Sequence, residues 1–418
     1  MDQESHIEAL LARLSQSDVQ SAPADKDVDA EIARILATRP DELWVAQRIR
    51  EGQLGQTTGA RGVKVAGKPV RRPIKAFFFQ GSTNRRALVI AGVHGSEKQG
   101  IEVAENLVRD LKTRPPALTT IVVPSLFPDN ATLTGQTARE GATPTNRNFP
   151  KPSQDLAAAT AAGKGTAVDA RGRAILPENQ MLIELMERFH PERIISIHGT
   201  QAAGEAGVFY DRRKLRPDEI QAAWDWAGER AYGHIESSRQ QDNEGAAEAR
   251  RSAVRKALYE QRLQEMSKQV DQTDRDLSLK AATQIDAGTT SIKGREKRGM
   301  SRENETRLTT ENETARKAHP SIAGNVASTG AIGNATWAGG TPKGVSLGSY
   351  APPRGMSVFT VEPPVDAPSS AYPVDATNPK QPKAHDEISG ATEKLNRADR
   401  ITELQKYADA VRTVLLGA

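Results

Sequence analysis

An α/β fold is what this sequence predicts: a mixed, mostly parallel central sheet flanked by helices, with an N-terminal helical extension and a long polar helical insertion. Three observations carry that prediction. Short runs of β-branched and aromatic residues alternate with longer stretches whose apolar residues recur at helical spacing, the pattern of strands joined by crossover helices. Two of the short runs, Ala87–Val93 and Ile194–Ile197, are almost wholly apolar, as strands covered on both faces are. The alternation then stops between about residues 212 and 321, where Glu, Gln, Arg, Lys and Ala dominate.

The elements follow in order. Ile7, Leu10, Leu11 and Leu14 share a helical face, and Val28, Ile32, Ile35 and Leu36 repeat it behind Asp27 as a cap. With Glu42–Arg50 as a third helix, residues 1–55 form an extension that packs as an arm, set off by the glycine-rich stretch 52–67. Ala76–Phe79, Ala87–Val93 and Thr119–Val123 are strands, and 100–112 is a helix presenting Ile101, Ala104, Leu107, Val108 and Leu111. A helix over 179–190, burying Met181, Leu182, Leu185, Met186 and Phe189, feeds the strand 193–197. Val358–Val361 supplies a late strand. The α/β domain thus spans 70–211 and 322–418, the second part ending in a helix, and is split by the insertion 212–321. The first half of the insertion reads as long amphipathic helices. Residues 271–317, poor in large apolar side chains, read as mobile and solvated. Lid, partner-binding arm and spacer are the roles open to it.

Composition excludes several classes. The chain has 418 residues and a net charge of +4, with no basic stripe interleaved with aromatics, so nucleic acid is not an expected partner. There is no cysteine, which rules out disulfides and thiolate metal sites. No apolar run reaches the ~18 residues of a transmembrane helix, and the acidic, polar N-terminus lacks a secretory signal. The expectation is a cytoplasmic protein, or one exported by a specialised route.

The chemistry concentrates where strands end. His94-Gly-Ser-Glu97 follows the apolar run 87–93, and His198-Gly199 follows 193–197. Two imidazoles and a carboxylate are ligands that Zn²⁺ prefers, and three protein ligands leave a fourth position open, as a catalytic rather than a structural zinc site does. Thr145-Asn146-Arg147-Asn148-Phe149-Pro150 adds a guanidinium whose fork of donors suits a carboxylate, with a neutral donor beside it. Glu362-Pro-Pro364 closes the strand 358–361.

In this order, His-x-x-Glu, Asn-Arg, His and Glu, the chain resembles the zinc carboxypeptidase superfamily over roughly residues 70–210 and 335–370. Within it, Asn146-Arg-Asn-Phe-Pro150 and the small-residue stretch 344–355 look most like bacterial murein peptide amidases. The resemblance implies Zn²⁺ held by His94, Glu97 and His198, and Glu362 as general base. It implies that Asn146 and Arg147 grip a substrate carboxylate and that Arg139 stabilises the oxyanion. Peptides or muropeptides are the implied substrates, cut at an amide beside a free carboxylate. Two departures stand out. Pro144 occupies the place of the aspartate that orients the first zinc histidine, and Gly339-Gly340 stands where a substrate-capping tyrosine is expected, leaving Trp337 or Tyr350 to substitute. A deacylase of the succinylglutamate desuccinylase or aspartoacylase type, and a weakened peptide-binding module without catalysis, are the competing readings.

Overall fold

Strand formation follows the apolar runs. The computed structural model describes residues 52–58, 64–65, 68–95, 97–132, 145–199, 207–211, 213–236, 244–286, 344–363 and 397–417. The helices expected in residues 1–50, together with Arg139, Pro144, Trp337 and Gly339-Gly340, lie outside them. Two short antiparallel ribbons come first: β1 (Gln53–Gln56) pairs with β4 (Pro73–Lys75), and β2 (Lys64–Val65) with β3 (Lys68–Pro69). The central sheet is built from β5 (Phe77–Phe79), β6 (Thr83–Ala91), β7 (Leu118–Val123), β8 (Arg193–Ile197), β9 (Gly207–Asp211) and β10 (Ser357–Glu362), in the order β5-β7-β6-β8-β10-β9. The four inner strands are mutually parallel, and the two edge strands run antiparallel to them. This is the mixed, mostly parallel sheet the sequence predicts.

Side chains along each inner strand alternate between two cores, as the pleat requires. Leu88, Ile90, Ile121, Val123, Ile194 and Val358 point to one face, where α3 (Pro177–Phe189) packs Leu182, Leu185, Met186 and Phe189. Ala87, Val89, Val122, Ile195, Phe359 and Val361 point to the other, covered by α1 (Lys98–Leu111) and α7 (Arg397–Ala410). The helix predicted over 179–190 starts earlier because Pro177 already has the φ of a first turn. It ends as His190 turns left-handed at φ 49°. Between β7 and α3 lies a short helix, α2 (Leu156–Ala162).

The insertion differs from its sequence reading. It forms α4 (Pro217–Glu236) and α5 (Glu244–Asp286), and the second does not stop where large apolar residues run out. Asp274, Ser278, Ala281 and Ile285 recur on one helical face and are all buried. The Ser278 hydroxyl donates to the Val208 carbonyl (2.8 Å), and the Ser357 hydroxyl donates to Asp274 (2.8 Å). Residues 271–286 are therefore docked on the sheet rather than mobile and solvated. The outer half pairs with α4 along Ala223, Ala227 and Ala231, with the Arg255 guanidinium 3.9 Å from the Trp224 ring centre. Among the described residues no helix is long and apolar enough to cross a membrane. Between the insertion and β10 is a short helix, α6 (Leu347–Tyr350).

Candidate metal centre

The site grows out of the carboxyl ends of β6, β8 and β10. Beyond β6, Gly92 takes φ +67°, a value that side chains disfavour, and swings the chain out of the sheet toward His94. The His94 carbonyl accepts from the Glu97 amide (3.2 Å), and the Glu97 carbonyl from the Gly100 amide (3.1 Å), so both residues sit on one tight turn that opens α1. A Cβ at Gly100 would overlap the His198 carbonyl oxygen, and one at Gly199 would overlap the Gln99 amide nitrogen. The absence of side chains at these two glycines lets the start of α1 press directly on the end of β8. The two ligand segments are thereby brought into contact.

His94, Glu97 and His198 converge as the spacing predicts: one ligand atom from each lies within 4.8 Å of the others. Glu97 Oε2 is 3.1 Å from His198 Nδ1, and the two imidazole rings are 5.2 Å apart. Donors bound at 2.0–2.2 Å to one tetrahedral ion stand about 3.3–3.6 Å apart, so the Glu97–His198 pair needs to open by only a few tenths of an ångström to share a Zn²⁺. All three are less than 10 % exposed, and a cluster of buried ionisable groups with no apolar role suits a cation. Burial pushes His198 down. The hydrogen bond and charge of Glu97, joined by the charge of Glu362, outweigh it and raise the pKa, against the opposing charge of Arg147.

That balance places Glu362 and Arg147 within electrostatic reach of His198. The His198 amide donates to the Val361 carbonyl (2.8 Å), which puts the half-buried Glu362 at the next strand end. Arg147 and Asn146 occupy a 3-10 turn, Thr145–Arg147, and the Arg147 guanidinium donates to the Asn146 carbonyl (2.9 Å). Thr145, wholly buried, ties this turn to the candidate metal ligands: its hydroxyl donates to the Val93 carbonyl (2.7 Å) and lies 3.5 Å from His94 Nδ1.

Tyr350 is not brought to the site. It is fully buried, with its ring 5.5 Å from that of Phe149 and its hydroxyl donating to Glu187 (3.3 Å), so it is a core residue rather than a cap on substrate. Burial raises the pKa of its phenol and holds it protonated. Sequence reasoning missed Thr145, Asn148, Asp169, Arg173 and Asn179, which fix the turn. The one signal for them was a run of polar residues in stretches too short for periodicity.

No family model matches this chain. No curated protein matches it either. Among solved structures it is similar to a candidate metallopeptidase from Shewanella amazonensis, at 12% identity and TM-score 0.36 over 94% of both chains. It is similar to a metallo-carboxypeptidase from Pseudomonas aeruginosa, at 14% identity and TM-score 0.31 over 94% of this chain and 69% of that one. It is also similar to murein-tripeptide amidase MpaA from Escherichia coli O157, at 23% identity and TM-score 0.24 over 41% of this chain and 70% of that one. The helix-flanked, mostly parallel sheet is the architecture that the sequence resemblance to the zinc carboxypeptidase superfamily implies, and it brings His94, Glu97 and His198 together at adjoining strand ends.

Proposed function

We propose that this chain is a zinc-dependent hydrolase that cleaves an amide bond beside a free carboxylate, with peptidoglycan stem peptides as its substrate class. The observation that carries the reading is the convergence of His94, Glu97 and His198, with the charges of Glu362 and Arg147 both felt at His198. Zinc, when bound by these three side chains, supplies Lewis acidity and lowers the pKa of water at its open position to about 7. Glu362 accepts a proton from the attacking water on a carboxylate oxygen and returns it to the leaving nitrogen, so that the departing group is a neutral amine. Arg147, with Asn146, holds the substrate carboxylate and so fixes which amide faces Glu362. Arg139 is assigned to the oxyanion by sequence resemblance.

The substrate class rests on the Asn146–Pro150 motif, which resembles that of murein peptide amidases. The test is incubation of zinc-loaded protein with purified muropeptides, followed by mass spectrometry. The expected products are two peptides whose masses sum to the substrate plus one water. Muropeptides bound but left intact point to the binding module, and cleavage of N-acyl amino acids alone points to the deacylase.

A further inference from the structure

The turn that presents Arg147 is fastened from beneath by side chains the proposed reaction does not use. Asp169 has a fully buried carboxylate. One oxygen accepts the amides of Arg171 and Arg173 (both 2.9 Å); the other accepts Arg173 Nε (2.7 Å) and Asn148 Nδ2 (3.0 Å), and Arg173 Nη2 lies in ion-pair contact with it at 2.6 Å. The same Arg173 Nη2 donates to the carbonyl of Arg147 at 2.8 Å. A Cβ at Gly344, where φ is +102°, would overlap that carbonyl, so the backbone of Arg147 is pressed from one side and bonded from another. Asn179 Nδ2 donates to the Thr145 carbonyl (2.9 Å), closing the other end of the turn. None of these bonds goes to the metal ligands.

We propose that Asp169 and Arg173 are positioning residues for the anion anchor: Asp169 orients the Arg173 fork, and Arg173 fixes the Arg147 backbone so that its guanidinium meets the substrate carboxylate in one orientation. The inference rests on the carboxylate-gripping role proposed for Arg147 and adds the residues that set it. A planar guanidinium that donates from Nε to a buried carboxylate and from Nη2 to a carbonyl holds the two in fixed relation, and the single ammonium of lysine does not reproduce it. Arg173→Lys keeps the charge opposite Asp169 and loses the fork.

The experiment uses the full chain loaded with zinc and two probes, a murein tripeptide and its carboxamide at the carboxyl next to the cleaved bond. Wild type should prefer the free carboxylate. Arg173→Lys should raise KM for the carboxylate probe about tenfold, the loss of one charge-assisted contact, while leaving carboxamide cleavage and zinc stoichiometry unchanged. In an Arg147→Ala background, Arg173→Lys should have no further effect on the preference, because it acts through Arg147. Should Arg173→Lys fail to fold, Asp169→Asn, close in shape to the carboxylate, is expected to give the same KM-selective loss. A variant that keeps the wild-type preference, or that lowers kcat equally for both probes, overturns the positioning role and leaves the hydrolase reading intact. A wild type that cleaves both probes equally overturns the Arg147 anchor itself, and this inference with it.

Discussion

Glu362 allows shape and charge to be separated. Glutamine fills the same half-buried place at the end of β10 but cannot take a proton from water, so Glu362→Gln should cut turnover by about 10²–10⁴-fold while zinc content stays at one per chain. Near-normal turnover by a folded, metal-loaded variant would move the base elsewhere. For the ligands the readout is the metal: in the double variant His94→Ala, His198→Ala, elemental analysis should find no bound zinc, and full stoichiometry would refute the ligand set. These residues were legible because each follows a strand signal, so that sequence position already implied a place in space. Tyr350 misled for the opposite reason. An aromatic residue near a strand end reads the same whether it caps a substrate or fills a core, and only its contacts with Phe149 and Glu187 decide. Thr145, Asp169 and Arg173 left only short polar runs in the sequence, since a side chain bonded to a distant carbonyl imposes no periodic pattern.

Between elements, the contact of α1 with β8 sets the ligand geometry, and Gly100 tests it. By helix propensity alone, alanine should stabilise this position by about 1 kcal/mol. The added methyl group, however, meets the His198 carbonyl and lies 3.0 Å from the Ile197 oxygen, both of them backbone. Steric overlap wins: Gly100→Ala should destabilise by about 1–3 kcal/mol and weaken zinc binding, measured by denaturation and by chelator competition. A more stable variant with unchanged zinc affinity would show that the contact is dispensable. The strands and the first crossover helices were legible in period and composition. The docked half of α5 was not, because its buried face is Asp274, Ser278, Ala281 and Ile285, which bonds and fits more than it buries. Burial raises the Asp274 pKa from its ordinary 3.8, with Asp271 adding to the rise and Ser357, Arg213 and Arg193 opposing it. A raised carboxyl binds protons more tightly folded than unfolded, so its contribution to stability falls as pH rises from 3.8 through the folded value and stays unfavourable above it. Asp274→Asn should therefore gain stability over wild type as pH increases across that window, then hold the gain. Urea titrations showing a constant difference at every pH would contradict this.

Across the whole molecule, chain order and sheet order disagree. β10, the last of the described strands in sequence, lies between β8 and β9, and its six residues supply Glu362 as well as a wall for the His198 backbone. A chain ending at residue 343 keeps all three ligands, yet it should fail to hold zinc, because β8 then has no neighbour on that side and β9 has no partner. Zinc bound at full stoichiometry by such a fragment would show that the ligand turn assembles without the sheet. The same topology has a consequence in time. Between completion of β8 at Ile197 and the start of β10 at Ser357, the ribosome adds 160 residues (357 − 197), which takes roughly 10–30 s at 5–20 residues per second. Throughout that interval β8 is an open parallel edge of Ile-rich backbone, the kind of surface on which strands of other chains pair. Slow translation of the insertion lengthens that exposure, and chaperone capture of nascent chains should be strongest while residues 212–356 are being made.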